Sequence, residues 1–573
     1  MKKVKIFIAL LLPIFIGVNA QNNIGIGYLN VKDYELAKKY FLQQLSTNPA
    51  EAYYYLGEIA YAEGDLEAAE NYYNQGLQTK MEPYCRIGLA KILLKKGQKV
   101  DAVAGFISVQ KKYPKEIDIL IPIGYAYLDN QLHKDVESLL AEMQKIDKKN
   151  PKIYDLEGDK LKAEDLIGQA AGRYDMALYF DPNYIPAYYK IAEVYEKINP
   201  QVAIEKMKEL IDRDPNNNLP YRYLGRIYTS SGRYQSAIDA YKEFFATGNY
   251  TLDDIARYAS ALFFIRNYEE ADKMIKEGLA IAPDHFVLNR LQMYIAANTI
   301  NVENGLDYAE HFFSLKKDKD VKEYIATDYS MYALLLKEAK MYDEALVYYK
   351  HTISMDSSAI DIYKEMAIIY GLKGQNDRAA DLYNSYIEKG GDKIEAMDYY
   401  QLGRYYYSAG NIRTTSDTTN IINRYQDDDF LTTISENELQ KDSLLNEESL
   451  FIAKAVKFYL EQADKAFDKV IELVPEGNTG YLWKARTNSL LDPDTEMGLA
   501  KPYYEKVVEI LSDRDEITTT IKNSLIEAYS YLGYFYYIKS DNPNTLLYWN
   551  KVLELDPENA SALMVLKEVG GKK

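Results

Sequence analysis

Residues 221–241 read YRYLGRIYTSSGRYQSAIDAY, and the spacing of their apolar and small residues decides the fold. Tyr221, Leu224, Gly225 and Tyr228 recur at three- and four-residue intervals, which gives a helix a single apolar stripe. After Gly232, a second stripe follows in Tyr234, Ala237 and Tyr241. A small residue in the first stripe lets the second helix approach closely. The unit is therefore two antiparallel helices, and the question becomes how often it recurs.

Used as a ruler, the small residue recurs at Gly124, Gly158, Ala192, Gly225 and Ala259, at intervals of 33 or 34 residues. The same spacing separates Ala333 from Ala367, and Tyr529, Leu532, Gly533 and Tyr536 repeat the pattern near the C-terminus. Several units close on a proline 24 residues after the mark, as in Gly25 to Pro49, Gly158 to Pro182, Ala259 to Pro283 and Gly533 to Pro557. Tyr53, Leu56, Gly57 and Ala60 form another first stripe, Gly64-Asp65 the turn, and Ala69 with Tyr73 the complementary face. Pro182 after Asp181 ends a second helix and sets the entry to the next pair. This pattern resembles the tetratricopeptide repeat (TPR) family over nearly the whole chain.

The resemblance implies an all-α fold, an α-solenoid winding as a right-handed superhelix. About fourteen helix pairs are centred on Gly25, Gly57, Gly88, Gly124, Gly158, Ala192, Gly225, Ala259, Met293, Ala333, Ala367, Gly403, Ala485 and Gly533. Each unit buries its stripe only against its neighbours, so end units are atypical, and residues 564–569 read as a capping helix. The Met293 unit lacks the small residue and precedes Lys316-Lys317-Asp318-Lys319, which reads as a joint between an N-terminal array, 21–320, and a C-terminal array, 321–573. One period is broken: Gly410 is followed only much later by the matching Ala463, Phe467 and Pro475. An insertion at 411–452 therefore separates two helices of one repeat. Its first part, rich in Thr, Ser, Asn and Asp, reads as loop, and its end, from Glu447, as an extension of the second helix.

Residues 1–20 carry Lys2, Lys3 and Lys5, an apolar run from Ile6 to Val18, and Val18-Asn19-Ala20 at the place a signal peptidase reads. A cleaved signal peptide is expected, with export to the periplasm or cell surface and no integral membrane segment afterwards. The single cysteine, Cys85, lies far from the apolar run, which leaves no lipid-anchor site there and no internal disulfide. It reads as a half-buried filler in a first helix. The net charge of −18 over 573 residues excludes the basic footprint that a nucleic-acid reader needs.

Catalytic chemistry is thin, and neither a cofactor nor a metal is expected. His133, His285, His311 and His351 fall in different repeats, without a second ligand at helical metal spacing. Gly25-Ile26-Gly27 lacks the third glycine of a dinucleotide fingerprint. Asp492, Asp494 and Glu496 lack the glycine and terminal glutamate of a calcium loop and read as a helix connection.

Binding remains. The family resemblance implies a concave face lined by first-helix positions around the small residue. On this chain they are Tyr54, Glu58 and Tyr61; Tyr189 and Glu193, with Glu196; Arg222 and Arg226; Tyr400, Arg404 and Tyr407; and Tyr534 and Tyr537. Tyrosine supplies a rigid amphipathic contact and arginine a planar fork for carboxylates. The expectation is a non-enzymatic scaffold of the cell envelope, associating with an envelope complex, that holds other proteins or peptides. The alternative is a carbohydrate-binding TPR protein at the cell surface. The lysine and asparagine of the family's carboxylate clamp are not reproduced. Trp483 and Trp549 both fall at packing positions.

Overall fold

The computed structural model describes residues 18–315, 324–413, 417–419, 447–514 and 516–570, and every regular element among them is helical. The ruler glycines sit where a methyl group does not fit. A Cβ on Gly88 would lie 2.5 Å from the Tyr73 ring, and Gly57 meets the same ring from the other side. One aromatic ring of a second helix thus wedges between the first helices of its own pair and the next. Tyr241 lies 2.7 Å from a Cβ on Gly225, Phe467 2.6 Å from one on Gly403 and Trp549 2.8 Å from one on Gly533. At Gly124 the close neighbour is instead Leu156 of the next first helix, 2.4 Å from a Cβ there.

The helices pair in chain order: α1 (Val18–Asn30) with α2 (Tyr34–Gln44), α3 (Pro49–Glu63) with α4 (Leu66–Gly76), α5 (Glu82–Lys95) with α6 (Lys99–Lys112), and α7 (Ile117–Asp129) with α8 (His133–Ile146). Then come α9 (Pro151–Ala163) and α10 (Ile167–Phe180), α11 (Ile185–Tyr195) and α12 (Pro200–Arg213), α13 (Leu219–Ser230) and α14 (Tyr234–Phe245), and α15 (Leu252–Phe264) and α16 (Tyr268–Ile281). The series continues through α17 (Phe286–Asn298) and α18 (Val302–Ser314), α19 (Ala326–Glu338) and α20 (Tyr342–Met355), and α21 (Asp361–Leu372) and α22 (Asn376–Gly390). The last pairs are α23 (Ala396–Gly410) and α24 (Glu447–Leu473), α25 (Asn478–Leu491) and α26 (Lys501–Ser512), and α27 (Thr519–Ile538) and α28 (Asn542–Leu555), with α29 (Ala560–Gly570) beyond them. The fourteen expected pairs are all present, and the expected capping helix is α29.

The inter-helix turn has its own rule. Seven residues after the ruler, the backbone turns left-handed in ten of the fourteen pairs: at Gly64, Gly232 and Gly374, but also at Lys32, Gln131, Asp165, Arg266, Ile300, Lys340 and Ser540. Left-handed backbone costs an L-residue about 1 kcal/mol, and each of these seven turns is closed by a backbone hydrogen bond from the following amide to the carbonyl five residues before it, as from Asp33 to Tyr28 at 2.8 Å and from Asn267 to Leu262 at 3.0 Å. In the turn after Gly64, the Asp65 carboxylate then caps α4 by accepting from the Ala68 amide at 2.9 Å.

The insertion leaves the array's logic intact. Its helix α24 runs 27 residues, and Tyr459, Leu460, Ala463 and Phe467 bury its apolar stripe. Residues 414–416 and 420–446 of the insertion and 316–319 of the expected joint lie outside the described residues, as do 1–17 of the expected signal peptide. The first described helix, α1, begins at Val18 and runs across the expected cleavage position after Ala20.

Two compact units make up the chain, Met1–Ile295 and Ala296–Lys573. Within the first, the array curves until its opening pair meets its seventh and eighth. A Cβ on Gly27 of α1 would touch Leu219 of α13 at 3.0 Å. Tyr28, Leu36 and Ala37 share one apolar cluster with Leu219, Tyr223 and Tyr258. Asp33, the N-cap of α2, accepts from Arg222 Nη1 at 2.6 Å across 189 residues of chain.

Candidate functional site

The first-helix positions behave differently in the two units. In the N-terminal unit they are consumed internally. Tyr54 is buried against the rings of Tyr55, Tyr73 and Tyr84, and burial pushes its hydroxyl pKa well up. Tyr189 is also buried, its ring 5.0 Å from Tyr223 and its hydroxyl donating to Asn217 at 3.3 Å. These two rings were expected on an open face; they pack between consecutive first helices instead. Burial pushes the half-buried Tyr61 up to about 12, and the Lys91 ammonium lies 4.1 Å from its ring centroid.

The charged positions pair with residues of other repeats. Glu58 accepts from Lys91 and from the Tyr73 hydroxyl, both at 2.7 Å. Glu193 pairs with Lys162 at 2.8 Å. Arg226 grips Glu196 bidentately at 3.0 and 2.7 Å. Arg222 is held by Asp33 and Asp254, each at 2.6 Å, and by the Thr251 hydroxyl at 3.3 Å. Around this clasp lies a cavity of about 390 Å³, lined among others by Asp33, Arg222, Asp254 and Arg257. Deeper in the same unit, Lys190 bridges Asp155 at 2.8 Å and Asp159 at 2.5 Å, and Asp155 also accepts from the hydroxyls of Tyr125 and Tyr184, both at 3.0 Å. This ladder of carboxylates, ammoniums and phenols was not anticipated from the sequence. Its partners lie about 30 residues apart, one repeat along, so the period itself was the signal for it.

The C-terminal unit keeps an open face. Trp483 on α25 is half-buried, with Tyr400 and Tyr407 of α23 standing edge-on at 6.0 and 5.2 Å and Phe467 of α24 at 6.0 Å. The Arg404 guanidinium lies 5.4 Å from the Trp483 centroid and 5.9 Å from that of Tyr400. Arg404 is exposed and has no carboxylate partner among the described residues. Arg486 also lies over Trp483, at 4.9 Å, but is locked to Glu527 at 2.8 and 2.6 Å. On α27, Tyr534 is 44% exposed, and Tyr537 donates to Glu568 at 3.0 Å. One half of the candidate face is thus internally satisfied, and the other presents rings and, among the described residues, an uncompensated cation.

The remaining chemistry is structural. Cys85 is fully buried, more so than the half-buried filler expected, and burial pushes its thiol up to about 12. Asp492 spends its carboxylate on the amides of Met497, Gly498 and Leu499, so it organises a helix connection. Among the described residues, three or more potential ligands do not gather as a metal site, and no helix is long and apolar enough to cross a membrane.

Stacked helix pairs presenting a periodic first-helix face define an α-solenoid of the interaction-scaffold class, a class generally without enzymatic activity. The chain carries tetratricopeptide repeats: the family pattern matches residues 22–81 and 195–249, and helix pairs of the same kind continue through the rest of the described chain. A TPR repeat-containing protein of Methanocaldococcus jannaschii is 22% identical over 373 residues, which cover 60% of this chain and 58% of the relative. The match thus spans less than two thirds of that relative's length. The solved C-terminal part of a TPR repeat-containing protein from Cytophaga hutchinsonii is 25% identical, covers 55% of this chain and 99% of its own, and superposes with a TM-score of 0.38. A tetratricopeptide repeat protein from Parabacteroides merdae is 16% identical over 44% of this chain and 98% of its own, with a TM-score of 0.31.

Proposed function

We propose that the protein is an exported, non-catalytic scaffold that holds protein or peptide partners on the first-helix face of its C-terminal unit. One observation carries this reading. The N-terminal unit neutralises its face with its own residues, whereas the C-terminal unit leaves Arg404, Trp483 and Tyr534 accessible. Export rests on Lys2, Lys3 and Lys5 before the apolar run and on Val18-Asn19-Ala20 after it. The periplasm or the cell surface, in association with an envelope complex, is the compartment that follows.

The test is a pull-down from the exported fraction, with the intact protein and with variants Tyr534→Ala and Trp483→Leu. Partners recovered by the parent chain and lost by the variants support the scaffold. Recovery unaffected by either variant places the binding face elsewhere, and capture of oligosaccharide alone overturns the reading. Mass spectrometry of the exported N-terminus should show Gln21 as the first residue.

A further inference from the structure

Resting on the scaffold reading, we propose that the Arg404–Trp483 platform is a subsite for an internal aspartate or glutamate of an extended partner segment, with an adjacent apolar side chain seated against the rings. A guanidinium held against aromatic rings is orientationally restrained, so less entropy remains to be lost when it forks onto a carboxylate. At Arg404 the restraint is present and the carboxylate is missing. Its guanidinium lies 5.4 Å from the Trp483 centroid and 5.9 Å from that of Tyr400, yet no described acidic side chain reaches it.

Its neighbours show what the site lacks. Arg486 lies over the same indole and carries the same chemistry to completion with Glu527, whose Oε1 also accepts from the Tyr504 hydroxyl at 3.0 Å. Arg226 in the N-terminal unit occupies the position equivalent to Arg404, one residue after the ruler glycine, and lies 4.5 Å from the Tyr223 centroid. It too is completed, by both oxygens of Glu196. Three arginines at one repeat position thus sit on aromatic supports, two of them bearing bidentate carboxylates supplied by the chain. The third leaves that place for a partner. Because the protein as a whole is acidic, with net charge −18, an acidic segment gains no long-range attraction and must find this local reversal of sign. That favours a short acidic-apolar motif over a polyanionic surface.

The charge around the indole disfavours a sugar. Two guanidiniums lie 5.4 and 4.9 Å from the Trp483 centroid, a cationic surround that suits a carboxylate better than a neutral pyranose.

The experiment uses the full exported chain and an array of C-terminally amidated decapeptides, in which Asp or Glu is placed beside Leu or Phe in a Gly/Ser background. Binding of selected peptides is then measured by fluorescence polarisation. Peptides that bind should lose at least about tenfold in affinity when their acidic residue is replaced by Asn or Gln, the equivalent of about 1.4 kcal/mol. Arg404→Ala should abolish that discrimination while leaving the thermal unfolding midpoint unchanged, and Arg404→Lys should restore part of it. Acidic and amide peptides that bind equally overturn the subsite but leave the scaffold standing. Discrimination that survives Arg404→Ala, or binding that requires a free peptide C-terminus, also overturns the subsite. An array that captures nothing, beside a pull-down that recovers partners through Trp483, does the same.

Discussion

Arg222→Met tests whether the N-terminal unit is closed by its clasp. The guanidinium is the shared cation for Asp33, whose side chain is 6% exposed, and Asp254, at 1%. Removing one partner of a buried pair costs about 3–5 kcal/mol, chiefly because a charge is left without compensation. Here both carboxylates keep other donors: Asp33 accepts from the Leu36 amide at 3.1 Å, and Asp254 from the Thr251 amide and hydroxyl, both at 2.9 Å. The loss therefore falls at the lower end, about 3 kcal/mol, while methionine refills much of the space over Phe244. Its effect should be local, because the link joins α1–α2 to helices that come 189 residues later. Hydrogen exchange followed by mass spectrometry should show amides of residues 34–44 exchanging about a hundredfold faster, since each 1.4 kcal/mol is a factor of ten. Asp33→Asn in the Arg222→Met background should slow that exchange again, by discharging the stranded carboxylate while keeping an acceptor for Leu36. Unchanged exchange in 34–44, in a variant whose circular dichroism matches the parent, would refute the closure argument.

Other consequences are as direct. Cys85 should resist a water-soluble maleimide at pH 8 in the folded chain and react once denaturant opens the N-terminal unit, because burial both shields the thiol and pushes it up to about 12. Gly232 turns at φ +71, and a methyl added there would meet nothing within 4 Å, so Gly232→Ala should destabilise by about 1 kcal/mol through backbone strain alone. Gly172, exposed within α10 and equally unobstructed, should stabilise by about 0.5–1 kcal/mol on replacement by alanine; opposite signs from urea titrations check both. In alkali, burial raises Tyr223 from 10.0 to about 12. A raised folded-state value means stability that is complete below pH 10 and lost as pH climbs through 12. Phenolate absorbance at 295 nm should therefore lag the titration of free tyrosine and rise together with loss of helix; independent titration of the two signals contradicts this.

Much of the architecture was readable in the sequence, because each repeat must bury a stripe against its neighbour and the period of that requirement is written in Gly57, Gly158, Gly225 and Gly533. The wedge residues Tyr73 and Tyr241 were readable for the same reason, and the extended second helix after the insertion from the reappearance of Ala463 and Phe467. The candidate site was less so. Whether a first-helix tyrosine is a contact or a core residue depends on how tightly consecutive first helices approach. Tyr54 and Tyr400 hold the same place relative to the ruler, yet one is buried and the other stands beside a tryptophan at an open face. Likewise Arg222 and Arg404 both read as free forks, and only the return of α2 onto α13 shows that the first is taken. Contacts between positions 189 residues apart carry no local signature. The left-handed turns at Lys32 or Arg266 were hidden too, since neither residue type advertises that conformation.

The clasp also orders events during synthesis. At about 5–20 residues per second, a ribosome that has made Asp33 needs about ten to forty seconds more before Arg222 is polymerised. Throughout that interval the nascent opening hairpin shows Tyr28 and Leu36 to whatever surrounds it, because the surface that will cover them does not yet exist. Neighbouring repeats can condense as they emerge, but the first pair must wait for the seventh. The earliest part of the molecule to be made is therefore among the last to be finished, and a nascent chain halted before Leu219 carries an uncovered apolar flank that a holding chaperone would recognise.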